Sequence, residues 1–323
     1  MFGIDVVGFG PIGRDLASRL VTEKQLRSMF SVSSISDSSG KIYPRNRTEV
    51  LKIVEGKKVG RKISDFESRK ESRSKSSIVI DVTNSDYTKH EEARKRAISA
   101  LSQGKHFVSA NKVALAYYFS NIMDYAKRKK LKIGYGAAIC GGVHAIKIAG
   151  SIKEDEIQSA EAVLNASTTM ILSTMEENSS LKFDDACKKA ADTGVLESDW
   201  SIDLDGIDAA AKTSILANVV FPRRKISFND IVRRGIRDQK AQEMIKTRRT
   251  SEERVRLVSK ITSDKVVVEP RIVSRDSPLA VYGRFNVVSF ETKSLGKISV
   301  SNLGGGVSLT ASVIISDLWK VIQ

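Results

Sequence analysis

Over the first half of the chain, short apolar runs alternate with stretches in which apolar residues recur every three or four positions. The apolar runs fall at residues 4–7, 30–35, 78–82, 107–109 and 131–133, and the helical patterns at about 14–28, 87–103 and 113–129. Strands separated by helices imply βαβ units, hence a parallel sheet with right-handed crossovers. The segment 41–76 is rich in Ser, Lys and Arg and is expected to form a surface excursion between strands. After Gly134 the pattern changes. Residues 136–142 are small and permit close backbone approach, and a strand pattern follows at 160–165. Helical patterns then cover 170–177 and 183–191, and alternating strand patterns lie at 265–269, 285–291 and 297–301. Consecutive strands of this kind predict a second sheet, largely antiparallel. An amphipathic helix over 310–321 follows three glycines, Gly304, Gly305 and Gly306. The predicted fold class is α/β, a Rossmann-type parallel sheet domain plus an α+β domain with a mixed sheet. The first domain is expected over 1–135, the second over 136–303, with the helix in 304–323 returning to the first.

Charge adds one question. The 323 residues carry 53 basic and 38 acidic side chains, a net charge of +15. The excess sits mainly in 57–75 and 223–260. In the latter, charges alternate with Ile226, Ile231, Ile236, Ile245 and Val255, as on the solvent faces of helices. Neither stretch has the interleaved aromatics of a single-strand platform, so nucleic acid is not expected as a partner, and the basic surface is read as one that attracts anionic ligands. No apolar run approaches the roughly 18 residues of a membrane helix, and the N-terminus lacks the layout of a signal peptide. Cys140 and Cys187 are the two cysteines, without a CxxC pattern. They fit a reducing cytoplasm and argue against a structural zinc.

Chemistry enters at Gly8-Phe9-Gly10-Pro11-Ile12-Gly13, which joins the first strand to the first helix. In a dinucleotide-binding turn the first glycine allows the bend, the second admits a pyrophosphate to the backbone, and the third lets helix and strand pack closely. The helix N-terminus then offers free N–H groups to the phosphates. Thr83 follows the third strand, either at the ligand crevice that parallel strands make at their carboxyl ends or as a strand end or helix cap. Ser109-Ala110-Asn111-Lys112 ends the next strand, and an ammonium there either points into a cleft or is solvated surface. The most informative stretch is 193–212, with Glu197, Asp199, Asp203, Asp205 and Asp208 ahead of three alanines and Lys212. Asp208 and Lys212 share one helix face. They form either an exposed ion pair or, given the small apolar flanks, a pair inside a cleft where a lysine can donate a proton. The clustered acids suit a substrate bearing an ammonium group.

Residues 8–13, Asp81-Val82-Thr83, 109–112, Gly141-Gly142, 164–168, 194–197, 203–212, 304–306 and Thr310-Ala311-Ser312 stand in an order and spacing that resembles the homoserine dehydrogenases over nearly the whole chain. The resemblance implies reversible reduction of L-aspartate 4-semialdehyde to L-homoserine by NAD(P)H, in threonine and methionine biosynthesis. The short form, without a kinase or regulatory module, is expected. It further implies Lys112 and Lys212 as catalytic lysines, Asp208 as a substrate contact, and Glu197 and Asp203 as partners of the substrate ammonium. Cofactor contacts are implied at Gly8 to Gly13, Thr83, Ser109, Lys112, Gly304 and Gly305. The family is usually a homodimer, paired through the sheet of its second domain. A monovalent cation, Na+ or K+, is held in relatives largely by backbone carbonyls matching Ile139, Gly141 and Val143. The chain departs from the pattern at Gly136, where the family has glutamate, at His144, where it has proline, and at Asn302-Leu303.

Cofactor choice turns on Asp37, which follows the second strand where an acid would bind a ribose 2′-hydroxyl. Its spacing from Gly13 is somewhat long, and Lys41, Arg14 and the basic surface could hold a 2′-phosphate instead. The reading is NADP or NAD, with NADP favoured. A dehydrogenase of another small amino or keto acid, or a non-catalytic Rossmann-type sensor or nucleic-acid binder, is the alternative.

Overall fold

The computed structural model describes residues 1–67, 76–139, 145–152, 156–178, 180–194, 196, 199–248 and 252–323. They form two compact units, one of 1–138 with 306–323 and one of 139–305.

The first unit is built on a six-stranded sheet in the order β3-β2-β1-β4-β5-β6. Its strands are β1 (Phe2–Val7), β2 (Phe30–Asp37), β3 (Gly40–Ile42), β4 (Ser76–Asp81), β5 (His106–Ser109) and β6 (Ile133–Gly134). All neighbours run parallel except the edge pair β2 and β3. Side chains alternate across β1, so Ile4 and Val6 enter the core while Asp5 lies on the other face. Between β1 and β2 lie α1 (Pro11–Thr22) and α2 (Lys24–Met29), separated by the extended Glu23, where the sequence predicts one helix. The excursion expected over 41–76 is instead partly regular, with β3 on the sheet edge and α3 over Arg47–Lys58. Asn46 caps α3 by accepting from the Glu49 N–H at 3.0 Å, and Val50, Ile53 and Val54 join the core. That apolar spacing is hidden among six charged side chains in a twelve-residue stretch, which is why the segment reads as surface. Helices α4 (His90–Ser102) and α5 (Val113–Arg128) follow β4 and β5.

The second unit opens with α6 (Gly136–Ile139), which straddles the division, and α7 (Ala145–Ser151). Its sheet has the order β12-β11-β7-β9-β10-β8, antiparallel except for β8 against β10. The strands are β7 (Ile157–Val163), β8 (Val232–Arg233), β9 (Glu253–Ile261), β10 (Val266–Ser274), β11 (Phe285–Thr292) and β12 (Lys297–Leu303). Helices α8 (Ala166–Glu177), α9 (Phe183–Asp192), α10 (Trp200–Leu204), α11 (Ile207–Val220) and α12 (Gln239–Arg248) complete it. Helices α8 and α11 pack on the sheet.

The basic stretch 223–260 is not a series of helical surfaces. Among the described residues there, α12 is the α-helix, two single-turn 3-10 helices precede it, and β9 is an inner strand. Arg256 on β9 is fully buried, its guanidinium donating to both Glu176 oxygens at 2.6 and 3.1 Å and to the Val281 carbonyl at 2.6 Å. A buried arginine is tolerated because every side of its charge is met.

The last helix, α13 (Val307–Ile322), belongs to the first unit. It packs against α1, with Ile314 and Leu318 fully buried and the Trp319 ring edge-on to Phe30 at 5.4 Å.

Candidate active site

In the first unit, the chain leaves β1 at Gly8 with φ +94° and enters α1 after Gly10. A Cβ on Gly8 would stand 2.6 Å from the backbone of Val82 and Thr83, and one on Gly13 would stand 2.3 Å from the Gly8 carbonyl oxygen. The fold itself demands both glycines. Gly10 differs, because a Cβ there meets nothing within 4 Å and its φ of −74° and ψ of −164° suit any residue. The bareness of Gly10 therefore serves space outside the protein, as the approach of a phosphate requires. Pro11 begins α1, where its missing N–H costs nothing. No side chain caps α1 and no acid lies in its first turn, so its positive end is uncompensated. Phe9 is 2% exposed and packs in the core, with Ile12 against it.

A cavity of about 590 Å³ opens at this turn, lined among others by Gly8, Gly10, Arg14, Asp37, Lys57 and Thr83. Asp37 ends β2, and Lys57 Nζ donates to it at 2.7 Å. Burial pushes the Asp37 carboxyl up, but hydrogen bonds from Lys57 and Ser39 and the Lys57 charge outweigh it and hold the group below its ordinary value. Arg14 reaches the carbonyl of Lys57 at 2.9 Å. Lys41 does not line this cavity. It stands over the Tyr43 ring and borders a different one, with Asp5 and Arg96. The cation beside Asp37 is thus Lys57, which in sequence lies within a basic run and gives no local signal.

Thr83 is the centre of a buried network. Its hydroxyl donates to Asp81 Oδ1 at 2.6 Å and accepts from Arg96 Nη2 at 3.0 Å and Asn111 Nδ2 at 2.9 Å. One donor and two acceptor positions exhaust a hydroxyl. What Thr83 presents to the cavity is its methyl and backbone. Arg96 Nε also holds Asp81 Oδ2 at 3.0 Å, and Asn111, 2% exposed, caps α5 through the Val113 N–H at 2.9 Å. Ser109 is fully buried and donates to the Asn111 carbonyl at 2.8 Å, so it shapes the same turn. Lys112 follows as the residue before α5, half-buried.

In the second unit, Asn165 gathers the acidic residues. Its Oδ1 accepts from the Thr168 N–H at 2.8 Å, capping α8, while Nδ2 donates to Asp203 Oδ1 at 2.6 Å and Asp208 Oδ2 at 2.9 Å. Asp203 and Asp208 are 3% and 4% exposed. Gly206, with φ +75°, turns α10 into α11 so that both carboxylates converge. Lys212 Nζ sits 2.6 Å from Asp208 Oδ2 and donates to the Leu164 carbonyl at 2.8 Å. The spacing of Asp208 and Lys212 predicts their pairing, and the structure buries the pair against apolar α11. Among the described residues, two carboxylates and one ammonium are gathered here, an arrangement that suits a cationic group. The role of Asn165 gives no signal beyond its place before α8. Asp205 pairs with exposed Arg237 instead, and Asp199 caps α10.

Gly304 N–H donates to the Arg284 carbonyl at 2.7 Å, and a Cβ on Gly304 would stand 2.3 Å from Asn286 Nδ2 and 3.0 Å from Ala166. Gly305 has φ +76°. At Gly136 the backbone N–H donates to Asp317 Oδ2 at 2.7 Å, and a Cβ would stand 3.2 Å from both Asp317 oxygens. Ile139 is 1% exposed. Glu197, Gly141, Val143, Cys140 and His144 lie outside the described residues. Among the described residues, no three His, Cys, Asp or Glu side chains are grouped to hold a metal, and no helix is long and apolar enough to cross a membrane.

These two arrangements meet known proteins over the whole chain. Residues 8–136 match the model of the homoserine dehydrogenase NAD-binding domain, and 146–319 match that of homoserine dehydrogenase. The homoserine dehydrogenase of Methanocaldococcus jannaschii is 31% identical over 98% of each chain. The crystal structure of a putative homoserine dehydrogenase from Archaeoglobus fulgidus superimposes with a TM-score of 0.85 at 29% identity, covering 99% of both chains. A hyperthermophilic archaeal homoserine dehydrogenase solved with NADPH gives 0.83 at 32% identity, over 99% of this chain and 97% of that one. With both halves matched in sequence and in fold, the chain belongs to the homoserine dehydrogenase family, NAD(P)-dependent oxidoreductases acting on a CH–OH group.

Proposed function

We propose that this chain interconverts L-homoserine and L-aspartate 4-semialdehyde, removing a hydride and a proton from the C4 alcohol in one direction and restoring them in the other. The observation that carries the reading is the buried set Asn165, Asp203, Asp208 and Lys212. Asp203, together with Glu197, is assigned the substrate ammonium, and Asp208 is assigned a further contact to the substrate. Lys212, held beside Asp208 and the Leu164 carbonyl, is assigned to the oxygen that gains charge as the aldehyde is reduced. Lys112 is assigned the second lysine role. The glycine turn, the open end of α1 and Thr83 hold NAD(P), which supplies or accepts the hydride when bound. Gly304 and Gly305 are assigned to the same cofactor. L-Homoserine is expected to drive reduction of NADP or NAD at alkaline pH, followed as absorbance of the reduced nicotinamide. Nucleotide binding without homoserine turnover would sink the assignment.

Asp37 and Lys57 set the choice between the two cofactors. Their 2.7 Å pair presents a 2′-hydroxyl acceptor and a 2′-phosphate partner side by side. Lys57→Ala should shift the ratio of kcat/KM for NADP over NAD about tenfold or more toward NAD, and Asp37→Ala should shift it toward NADP. If both variants keep the wild-type ratio, the adenosine ribose lies elsewhere.

A homodimer paired through the sheet of the second unit is part of the reading. It is supported by the edge strand β12, which leaves Leu303 51% and nearby Leu295 60% exposed. Light scattering at micromolar concentration should give twice the chain mass, and a monomer would refute it. A cytoplasmic enzyme fits Cys187, whose thiol is buried and pushed up to about 11 by that burial, and so is inert.

A further inference from the structure

The two faces of the nucleotide-binding sheet are built differently. The face carrying Ile4 and Val6 is closed by α1, α3 and α13. On the other face α4 packs against β5, and beside it a cavity of about 400 Å³ opens over β1, β2 and β4. Strands of a parallel sheet that are buried on both faces carry apolar side chains throughout. Here Asp5, Ser34 and Ser36 line the cavity, a polar floor that suits a polar occupant better than an apolar helix. Val7 and Ser36 border both this cavity and the one at the glycine turn, so the two lie back to back.

Charge decides what the cavity can take. Four cations line it, Lys41, Lys95, Arg96 and Lys105, against two acids, Asp5 and Asp81. Both acids are spent. Asp5 accepts from Ser34 at 2.6 Å, from Ser76 and from Lys105 at 2.9 Å, and Asp81 accepts from Thr83 at 2.6 Å and Arg96 at 3.0 Å. The cations are not. Arg96 commits Nε to Asp81 and Nη2 to Thr83, which leaves the Nη1 group of its fork free to donate. Lys41 stands on β3 opposite Ser36, over the Tyr43 ring, and Lys95 stands on α4. Both are exposed, and neither has an acidic partner among the described residues. The lining therefore holds a surplus of positive charge with unused donors, next to the hydroxyls of Ser36 and Ser99. Lysines as point charges and a guanidinium fork are the side chains that suit phosphate oxygens, and the volume falls in the range of small-molecule sites.

We propose that this cavity binds a phosphorylated small molecule carrying at least two negative charges, at a site separate from that of the cofactor. Lys41 and Lys95 approach the ligand from opposite sides, and Arg96 meets it with Nη1.

The test is isothermal titration calorimetry on the NADPH-saturated protein at low ionic strength, with pyrophosphate and ADP as probes. Saturation with NADPH fills the cofactor cavity, so that a second site alone can answer. One equivalent of pyrophosphate should bind with Kd below about 1 mM. Lys41→Ala/Lys95→Ala should weaken it about tenfold or more, the range of lost charge-assisted contacts, with NADPH affinity and Tm unchanged. Tighter binding of ADP than of pyrophosphate supports the site with a nucleotide as its occupant, and equal or weaker binding supports it with a free phosphate compound. No binding to the NADPH-loaded protein overturns the proposal. So does unchanged affinity in the double variant, which would spread the anion over the general basic surface. A fall in NADPH affinity in the double variant overturns it as well, by returning Lys41 to the cofactor. None of these readouts depends on the identity of the substrate.

Discussion

Lys212→Ala is expected to lower kcat by about 10²- to 10³-fold while NADPH binds as in the wild type, the effect of deleting one donor to a developing oxyanion. Nζ is fixed from two sides, by Asp208 at 2.6 Å and the Leu164 carbonyl at 2.8 Å, on a helix whose neighbouring residues are apolar. A lysine so held loses little freedom when substrate arrives. The variant also leaves Asp208 buried without its cation, and breaking a buried pair costs about 3–5 kcal/mol. Part of that is offset here because Asn165 still donates to the same carboxylate. Tm should therefore fall by several degrees, and kcat has to be measured well below the new transition. A folded variant with near-normal kcat would remove Lys212 from the chemistry.

Gly10→Val is expected to abolish dinucleotide binding, at least 100-fold in Kd, with Tm shifted by no more than a few degrees. Valine suits the extended backbone at this position, and its Cβ meets no protein atom. Its two methyls then occupy space that only a ligand would use. Gly13→Val is the control in the opposite sense, because its Cβ would overlap the Gly8 carbonyl and must displace α1 from β1. Calorimetry with NADPH and thermal melting separate the two cases. Retained NADPH affinity in Gly10→Val would place the phosphates away from α1.

The glycine turn, the parallel strands and the Asp208–Lys212 pair were legible because each depends on spacing within a few positions. Segments where charge masks apolar spacing were not. Val50, Ile53 and Val54 sit among lysines and glutamates, and β9 carries three arginines and lysines while lying inside the sheet. Arg256 in particular reads as surface until Glu176, 80 residues away, supplies its partner. Lys57 was illegible for the same reason, since its meaning comes from Asp37, 20 positions earlier. Asn165 could not be assigned from spacing either, because it matters through three partners drawn from separate helices.

The placement of α13 has a consequence for how the chain is made. Synthesis runs from the N-terminus at roughly 5–20 residues per second. All six strands of the nucleotide-binding sheet emerge before residue 139, yet Ile314 and Leu318, which close its core, emerge only after the entire second unit. For roughly ten seconds or more the nascent sheet carries an uncovered apolar strip while the inserted unit completes itself. The unit that is written first is therefore the one that is finished last, and its unclosed flank is the stretch of this protein with most call on a ribosome-bound chaperone.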